Sequence, residues 1–185
     1  MIEAAAEEPA EILIVDDDPD VRTFVRAVLE SDGHRVTEAA SGQDAIQRLR
    51  IRRPALVLLD VMMPAMDGFA AVHAIKREPG PFVPVILLTA LDDPASRAKG
   101  INAGADEVLA KPVHPFELRL RCRAMLRIHQ LTAGLHDEIA LRAEEGAGRP
   151  VDVRGGNRIG DLVDADLARE LVREAARTRQ IPRPR

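Results

Sequence analysis

Four short aliphatic runs, each followed at once by a residue able to do chemistry, constrain this chain more than any other feature. Ile12–Val15 runs into Asp16 and Asp17, Leu56–Leu59 into Asp60, Val85–Leu88 into Thr89, and Val108–Ala110 into Lys111. The runs are continuous rather than alternating, the pattern of strands buried on both faces. A fifth run, Arg35–Ala39, reads as a second strand in chain order. Helical patterns fill the spaces between. Asp18 is a candidate N-cap before Pro19, with Val21, Phe24, Val25, Val28 and Leu29 at helical spacing until Ser31-Asp32-Gly33 stops the turn. Ser41 heads a helix carrying Ala45, Ile46 and Leu49, and Gly68 to about Glu78 presents Phe69, Val72 and Ile75. Pro94–Ala103 is a shorter helix, and a long one starts near Pro115. Five strands alternating with five helices predict an α/β fold, a doubly wound five-stranded parallel sheet with an extended last helix.

In such a sheet, ligands bind outside the carboxyl ends of the strands. Three acids, one hydroxyl and one lysine therefore converge on one edge. Asp16, Asp17 and Asp18 are consecutive, and two carboxylates about 4 Å apart repel by roughly 4 kcal/mol near a protein surface. A core strand ending in such a cluster needs a compensating charge. Hard oxygen ligands suit Mg²⁺, or Mn²⁺ in its place, which keeps several waters and often takes a phosphate oxygen. Lys111 is a point charge suited to a phosphoryl group, and the Thr89 hydroxyl can donate to a phosphoryl oxygen. The edge suits phosphoryl transfer to an aspartate. Asp18 and Asp67-Gly68 read simply as a helix cap and a turn before a helix.

The bulk properties narrow the setting. Of 185 residues 46% are apolar, enough for a globular core with an appendage. Thirty acidic against 26 basic residues give a formal charge of −4, which argues against nucleic-acid binding through a basic surface. The single cysteine, Cys122, excludes an intramolecular disulfide and fits a reducing compartment. The acidic N-terminus is unlike a signal peptide, and no run reaches the 18 or so apolar residues of a membrane span. A cytoplasmic location without a membrane partner is the expectation. The five histidines show no metal-ligand spacing.

Residues 11 to about 128 resemble a bacterial response-regulator receiver domain, through ILIVDDD, LVLLDVMMPAMDG, PVILLTA and GADEVLAKPV. The resemblance implies a flavodoxin-like strand order 2-1-3-4-5 and a role in a two-component phosphorelay. It makes Asp60 the phosphoacceptor, with Asp17 and Asp60 binding Mg²⁺ directly, Met62 through its backbone carbonyl and Asp16 through water. Thr89 contacts the phosphoryl group and signals its presence, Lys111 pairs with it, and Lys111-Pro112 is a cis peptide. The phosphoryl donor is a phosphohistidine on a sensor histidine kinase or a phosphotransfer protein. The chain is then a signalling protein rather than an enzyme, apart from its own phosphorylation and dephosphorylation chemistry.

Two departures from the family pattern stand out. The switch aromatic expected three positions before the lysine is Val108, and the chain has neither tyrosine nor tryptophan. The positions flanking the phosphoryl group, two after Asp60 and two after Thr89, are Met62 and Leu91. Neither side chain can activate water, which predicts a slowly hydrolysed phosphoaspartate.

The expected organisation is an N-terminal tail over 1–10, the receiver domain over 11–130, and a helical extension over 131–146. A Gly/Arg-rich linker over 147–160 and a short helix and tail over 161–185 follow. The long helix carries Leu118, Cys122, Met125 and His129 on one seam, which Leu131, Leu135 and Ile139 continue. Pairing with a second copy is expected through the helix 115–145 or the 94–130 face. The stretch LRLRCRAMLRIHQLTAGL is similar to the junction of regulators ending in diguanylate cyclase or HD-type phosphodiesterase domains, yet no such output follows. A stand-alone receiver and a shortened regulator both fit the sequence. Two rival readings remain: a haloacid-dehalogenase-type phosphatase with Asp16 as nucleophile, and a receiver-like interaction module that is never phosphorylated.

Overall fold

The computed structural model describes residues 9–64, 66–90 and 94–145, the stretch 135–145 by its backbone only. The expected linker over 147–160, the C-terminal helix over 161–185, and Leu91 lie outside the described residues.

The chain alternates β1 (Glu11–Val15), α1 (Pro19–Ser31), β2 (Arg35–Ala39), α2 (Gly42–Ile51), β3 (Leu56–Asp60), α3 (Gly68–Arg77), β4 (Val85–Thr89), α4 (Pro94–Ala103), β5 (Glu107–Ala110) and α5 (Pro115–Glu145). All strand pairs are parallel, in the order β2-β1-β3-β4-β5. The elements are those expected from the sequence, with β1 and β5 each beginning one residue earlier.

The continuous aliphatic runs are explained by two cores. Leu13, Val15, Val57, Leu59, Val85, Leu87 and Val108 face the side packed by Ala45 and Leu49 of α2 and by Val72 and Ile75 of α3. Ile12, Ile14, Leu56, Leu58, Ile86, Leu88 and Leu109 face the side covered by Val25 and Leu29 of α1 and by Leu118, Cys122 and Met125 of α5. Successive side chains on a strand point to opposite faces, so a strand covered twice has no polar position to spare.

Helix starts follow the capping residues. Asp18 accepts from the Asp20 amide at 2.8 Å with Pro19 at the first helical position, Ser41 Oγ accepts from the Asp44 amide at 3.2 Å, and Asp67 accepts from the Phe69 amide at 3.0 Å. Each supplies an acceptor to an amide that has no partner inside the helix.

One polar element in the interior was not anticipated from the sequence. Lys76 of α3 lies 2.5 Å from Asp106, and the two side chains are only 3% and 6% exposed. Lys76 Nζ also donates to the Val83 carbonyl at 2.7 Å and sits 4.5 Å from the centre of the Phe82 ring. Asp106 accepts from the Val85 amide at 2.8 Å. The group ties α3 to the entries of β4 and β5, at the edge opposite the acidic residues.

The long helix α5 divides into two parts. Leu118, Cys122, Met125 and Leu126 are buried, and His129 Nδ1 lies 3.0 Å from the Phe82 carbonyl. Burial pushes the Cys122 thiol up to about 12, with the nearby Asp32 adding to it, so this cysteine is an inert packing residue. Past His129 the helix leaves the sheet, and Leu131 is 67% exposed. The seam therefore does not continue into this domain's core; Leu131 faces solvent, and the side chains of Leu135 and Ile139 lie outside the described residues.

Candidate functional site

Strand register brings the acids together. Val15 pairs with Leu59 across β1 and β3, so the next residues of the two strands, Asp16 and Asp60, emerge side by side. Asp60 pairs with Leu88, and Thr89 with Ala110, which sets Thr89 and Lys111 at the ends of the adjoining strands. The Lys111 amide donates to the Thr89 carbonyl at 2.7 Å. Lys111-Pro112 is cis, as the resemblance implied.

Carboxylate oxygens of Asp16, Asp17 and Asp60 lie within 4.8 Å of one another, with Asp16 and Asp60 buried and Asp17 exposed. Lys111 Nζ reaches across from β5 and lies 2.8 Å from Asp16 Oδ2 and 2.8 Å from Asp60 Oδ1. Burial works against the lysine's charge, but its hydrogen bonds to Asp16 and Asp60, and their fields, outweigh burial and hold its pKa above the ordinary value. The compensating charge sought for the acidic strand end is thus already partly supplied by the protein. Three carboxylates against one ammonium still leave a surplus of negative charge facing water through Asp17. Three hard oxygen donors with one side open are the donor set that a hydrated Mg²⁺ takes.

The surroundings hold this geometry closely. Asp16 Oδ1 accepts from the Asp18 amide at 2.9 Å, so the capping residue also orients the buried acid. In the sequence Gly68 reads as part of a plain turn, yet its place is dictated by the site. A Cβ there would overlap the Asp60 carbonyl oxygen and lie 2.5 Å from Val61 Cα. Only glycine lets the start of α3 pack directly on the end of the acid-bearing strand. The signal was present in Asp67-Gly68, seven and eight residues after Asp60, but only the packing gives it meaning.

Thr89 is buried at the end of β4, and Met62 is 63% exposed just past Asp60. Val108 is buried in the core against α4 rather than poised at the surface. A Cβ on Gly100 would lie 2.9 Å from Leu87 Cδ1 and 3.1 Å from Val108 Cγ2, so α4 rests on β4 and β5 with no gap for a ring.

Residues 12–123 match the response regulator receiver domain. The chain belongs to this family. Among curated relatives, this receiver is 43% identical over 116 residues to the transcriptional regulatory protein AfsQ1 of Streptomyces coelicolor, covering 63% of this chain and 51% of that one. It is 41% identical over 120 residues to TcrX of Mycobacterium tuberculosis, named as a probable transcriptional regulatory protein, covering 65% and 51%. The chain therefore spans about half the length of these relatives. Among solved structures, the receiver resembles the chemotaxis protein CheY4 of Vibrio cholerae, with a TM-score of 0.57 and 31% identity over 64% of this chain and 98% of that one. It also resembles NtrX of Brucella abortus, with a TM-score of 0.65 and 28% identity over 78% and 32%. The expectation of no nucleic-acid partner finds no support in relatives named as transcriptional regulators. Among the described residues, no helix is long and apolar enough to cross a membrane.

Proposed function

We propose that this receiver takes a phosphoryl group from a phosphohistidine of a histidine kinase or phosphotransfer protein onto Asp60. The observation that carries the reading is the placement of Asp60, with Lys111 at 2.8 Å, inside a carboxylate trio whose outer member faces solvent. An Asp60 carboxylate oxygen attacks phosphorus, the new O–P bond forms as the P–N bond breaks, and the imidazole leaves with the electron pair. Asp17 and Asp60, with Asp16 through water and the Met62 carbonyl, would hold Mg²⁺, which when bound neutralises charge on the transferring group. Lys111 pairs with a phosphoryl oxygen, and the Thr89 hydroxyl donates to another. Among the described residues this edge is also the one place where acids, a lysine and a hydroxyl meet at strand ends, as the receiver reading requires. The phosphatase alternative leaves the buried Asp60 and its bond to Lys111 without a role.

Intact-mass measurement of the chain after incubation with acetyl phosphate and Mg²⁺ tests the proposal. Addition of one phosphoryl group is expected, and no addition when EDTA sequesters the Mg²⁺ before acetyl phosphate is added. An unchanged mass in both conditions would favour the interaction module that is never phosphorylated.

Slow hydrolysis follows from the apolar flank. Met62 and Leu91 offer no group to orient water, so Met62→Asn and Leu91→Glu are each expected to speed decay of the phosphoaspartate several-fold in a timed mass assay. Decay no faster than in the unaltered chain would remove this explanation.

Signalling proceeds through changed contacts or dimerisation, the long α5 and the 94–130 face being the surfaces offered. Val108 transmits little, because a packed valine has no second position to occupy. Val108→Tyr is expected to make dimerisation depend more on phosphorylation, as read by size-exclusion light scattering with and without acetyl phosphate. It also costs roughly 1–3 kcal/mol from overpacking against Gly100 and Leu87. Equal phosphorylation dependence in variant and unaltered chain would show that the missing ring is not what limits coupling.

A further inference from the structure

Every polar atom of Asp16 is engaged, and two of its partners, Ala39 and Arg22, belong to neither the acid site nor the helix cap. Its amide donates to the Ala39 carbonyl at 3.2 Å, while Asp18 and Lys111 hold its two carboxylate oxygens. Its backbone carbonyl accepts from Arg22 Nη1 at 2.7 Å. Arg22 is itself fixed, because its Nε donates to Glu38 Oε2 at 3.1 Å. Arg26, one turn further along α1, lies 2.5 Å from Glu38 Oε1. Glu38 immediately precedes Ala39 on β2. The Asp16 backbone is therefore held from one strand on both sides: its amide directly by Ala39, and its carbonyl, the start of the Asp16–Asp17 peptide, through Arg22 by Glu38.

Among the described residues, no hydrogen bond or ion pair holds the exposed Asp17 carboxylate. Its direction depends on the peptide that joins it to Asp16, and the plane of that peptide is set by where the Asp16 carbonyl points. We infer that Arg22, braced by Glu38, is a positioning residue for divalent-cation binding: it fixes the Asp16–Asp17 peptide so that Asp17 is presented beside Asp60. The inference rests on the reading that these acids hold Mg²⁺.

Charge and position make opposite demands here, which gives a test. A guanidinium near three carboxylates repels a cation, so if Arg22 acted only through its field, removing it would tighten divalent binding. If it positions the peptide, removal weakens binding. Lysine cannot replace it, since one ammonium cannot reproduce the planar fork that spans Glu38 and the Asp16 carbonyl.

The experiment is Mn²⁺ titration of the full chain followed by electron paramagnetic resonance at fixed ionic strength, with thermal unfolding in EDTA as a separate readout. Arg22→Gln and Arg22→Lys are each expected to raise the Mn²⁺ Kd about tenfold, the low end of what outer-shell partners of metal ligands contribute. Glu38→Ala is expected to weaken binding as well, and to add little in an Arg22→Gln background, because the two act through one contact. Binding unchanged or tighter in Arg22→Gln would overturn the inference, as would full affinity in Arg22→Lys. If Arg22→Gln does not fold, Arg22→Lys carries the test alone, because it keeps the positive charge and removes only the planar fork. Failure of the unaltered chain to bind Mn²⁺ would remove the metal reading itself, a different result from selective loss in the variants.

Discussion

Asp60→Asn is expected to abolish phosphoryl uptake from acetyl phosphate, with intact mass unchanged after a time that fully labels the unaltered chain. A carboxamide has no anionic oxygen to attack phosphorus, and no neighbouring acid can take over. Asp16 is buried with both carboxylate oxygens committed, one to the Asp18 amide and one to Lys111. Asp17 is exposed and lies off the Lys111 bridge. The substitution removes one of three clustered like charges, so the melting temperature is not expected to fall. A stable but unlabelled variant separates loss of chemistry from loss of fold. Labelling that survives Asp60→Asn and disappears in Asp16→Asn would instead identify Asp16 as nucleophile and support the phosphatase reading.

Lys76→Met is expected to be the most destabilising of the substitutions considered, by about 3–5 kcal/mol, the cost of leaving a buried charge uncompensated. Lys76 and Asp106 are almost wholly withdrawn from water, and Lys76 also reaches the Val83 carbonyl. For a domain of this size the loss corresponds to a fall in melting temperature of roughly 10 °C or more. The effect has a definite pH dependence. Burial raises the Asp106 pKa, and Lys76 opposes that rise without cancelling it. Because the folded state holds the Asp106 proton more tightly than the unfolded state, its contribution is most favourable at acid pH and is lost as pH rises through the folded value. Removing Lys76 removes the opposing influence and raises Asp106 further. The deficit of Lys76→Met relative to the unaltered chain should therefore shrink on acidification and grow towards neutral pH. The double variant Lys76→Met/Asp106→Asn should recover part of the loss, since asparagine can still accept from the Val85 amide without carrying a charge. Urea denaturation at several pH values checks both statements. A deficit independent of pH would show that lost packing, not the stranded carboxylate, sets the cost.

The two lysines at opposite ends of the sheet, Lys111 between Asp16 and Asp60 and Lys76 beside Asp106, differ in how far local sequence marks them. Lys111 was recognisable because it follows a strand directly, and a parallel sheet sends all such positions to one edge. Lys76 sits on a helix among Ile75 and Arg77, where a lysine ordinarily reaches water, and nothing local marks it as buried. Its partner is 30 residues away. Asp67-Gly68 shows an intermediate case. The turn was legible, but the need for glycine arises from the backbone of Asp60 and Val61, which local sequence does not mention. Leu131 lies in the expected helical extension: its spacing continues the apolar seam of α5 beyond the end of the sheet, and the residue faces solvent. Beyond 130, α5 continues to Glu145, and the expected linker and C-terminal helix lie outside the described residues.

The sequence by itself determined the alternation of five strands and five helices, the capping residues, and the identity of the groups at each strand end. These are set by local periodicity and by the residue at each terminus, which neighbouring positions in the chain express fully. The tertiary structure decided which charge balances the acidic strand end. Lys111, 95 residues from Asp16, bridges two carboxylates because parallel pairing across β3 and β4 brings β5 within reach. It also decided that Arg22 and Glu38 grip the peptide between two acids, and that Val108 is locked against Gly100. Such contacts depend on distances between elements, which are fixed only when both faces of the sheet are packed.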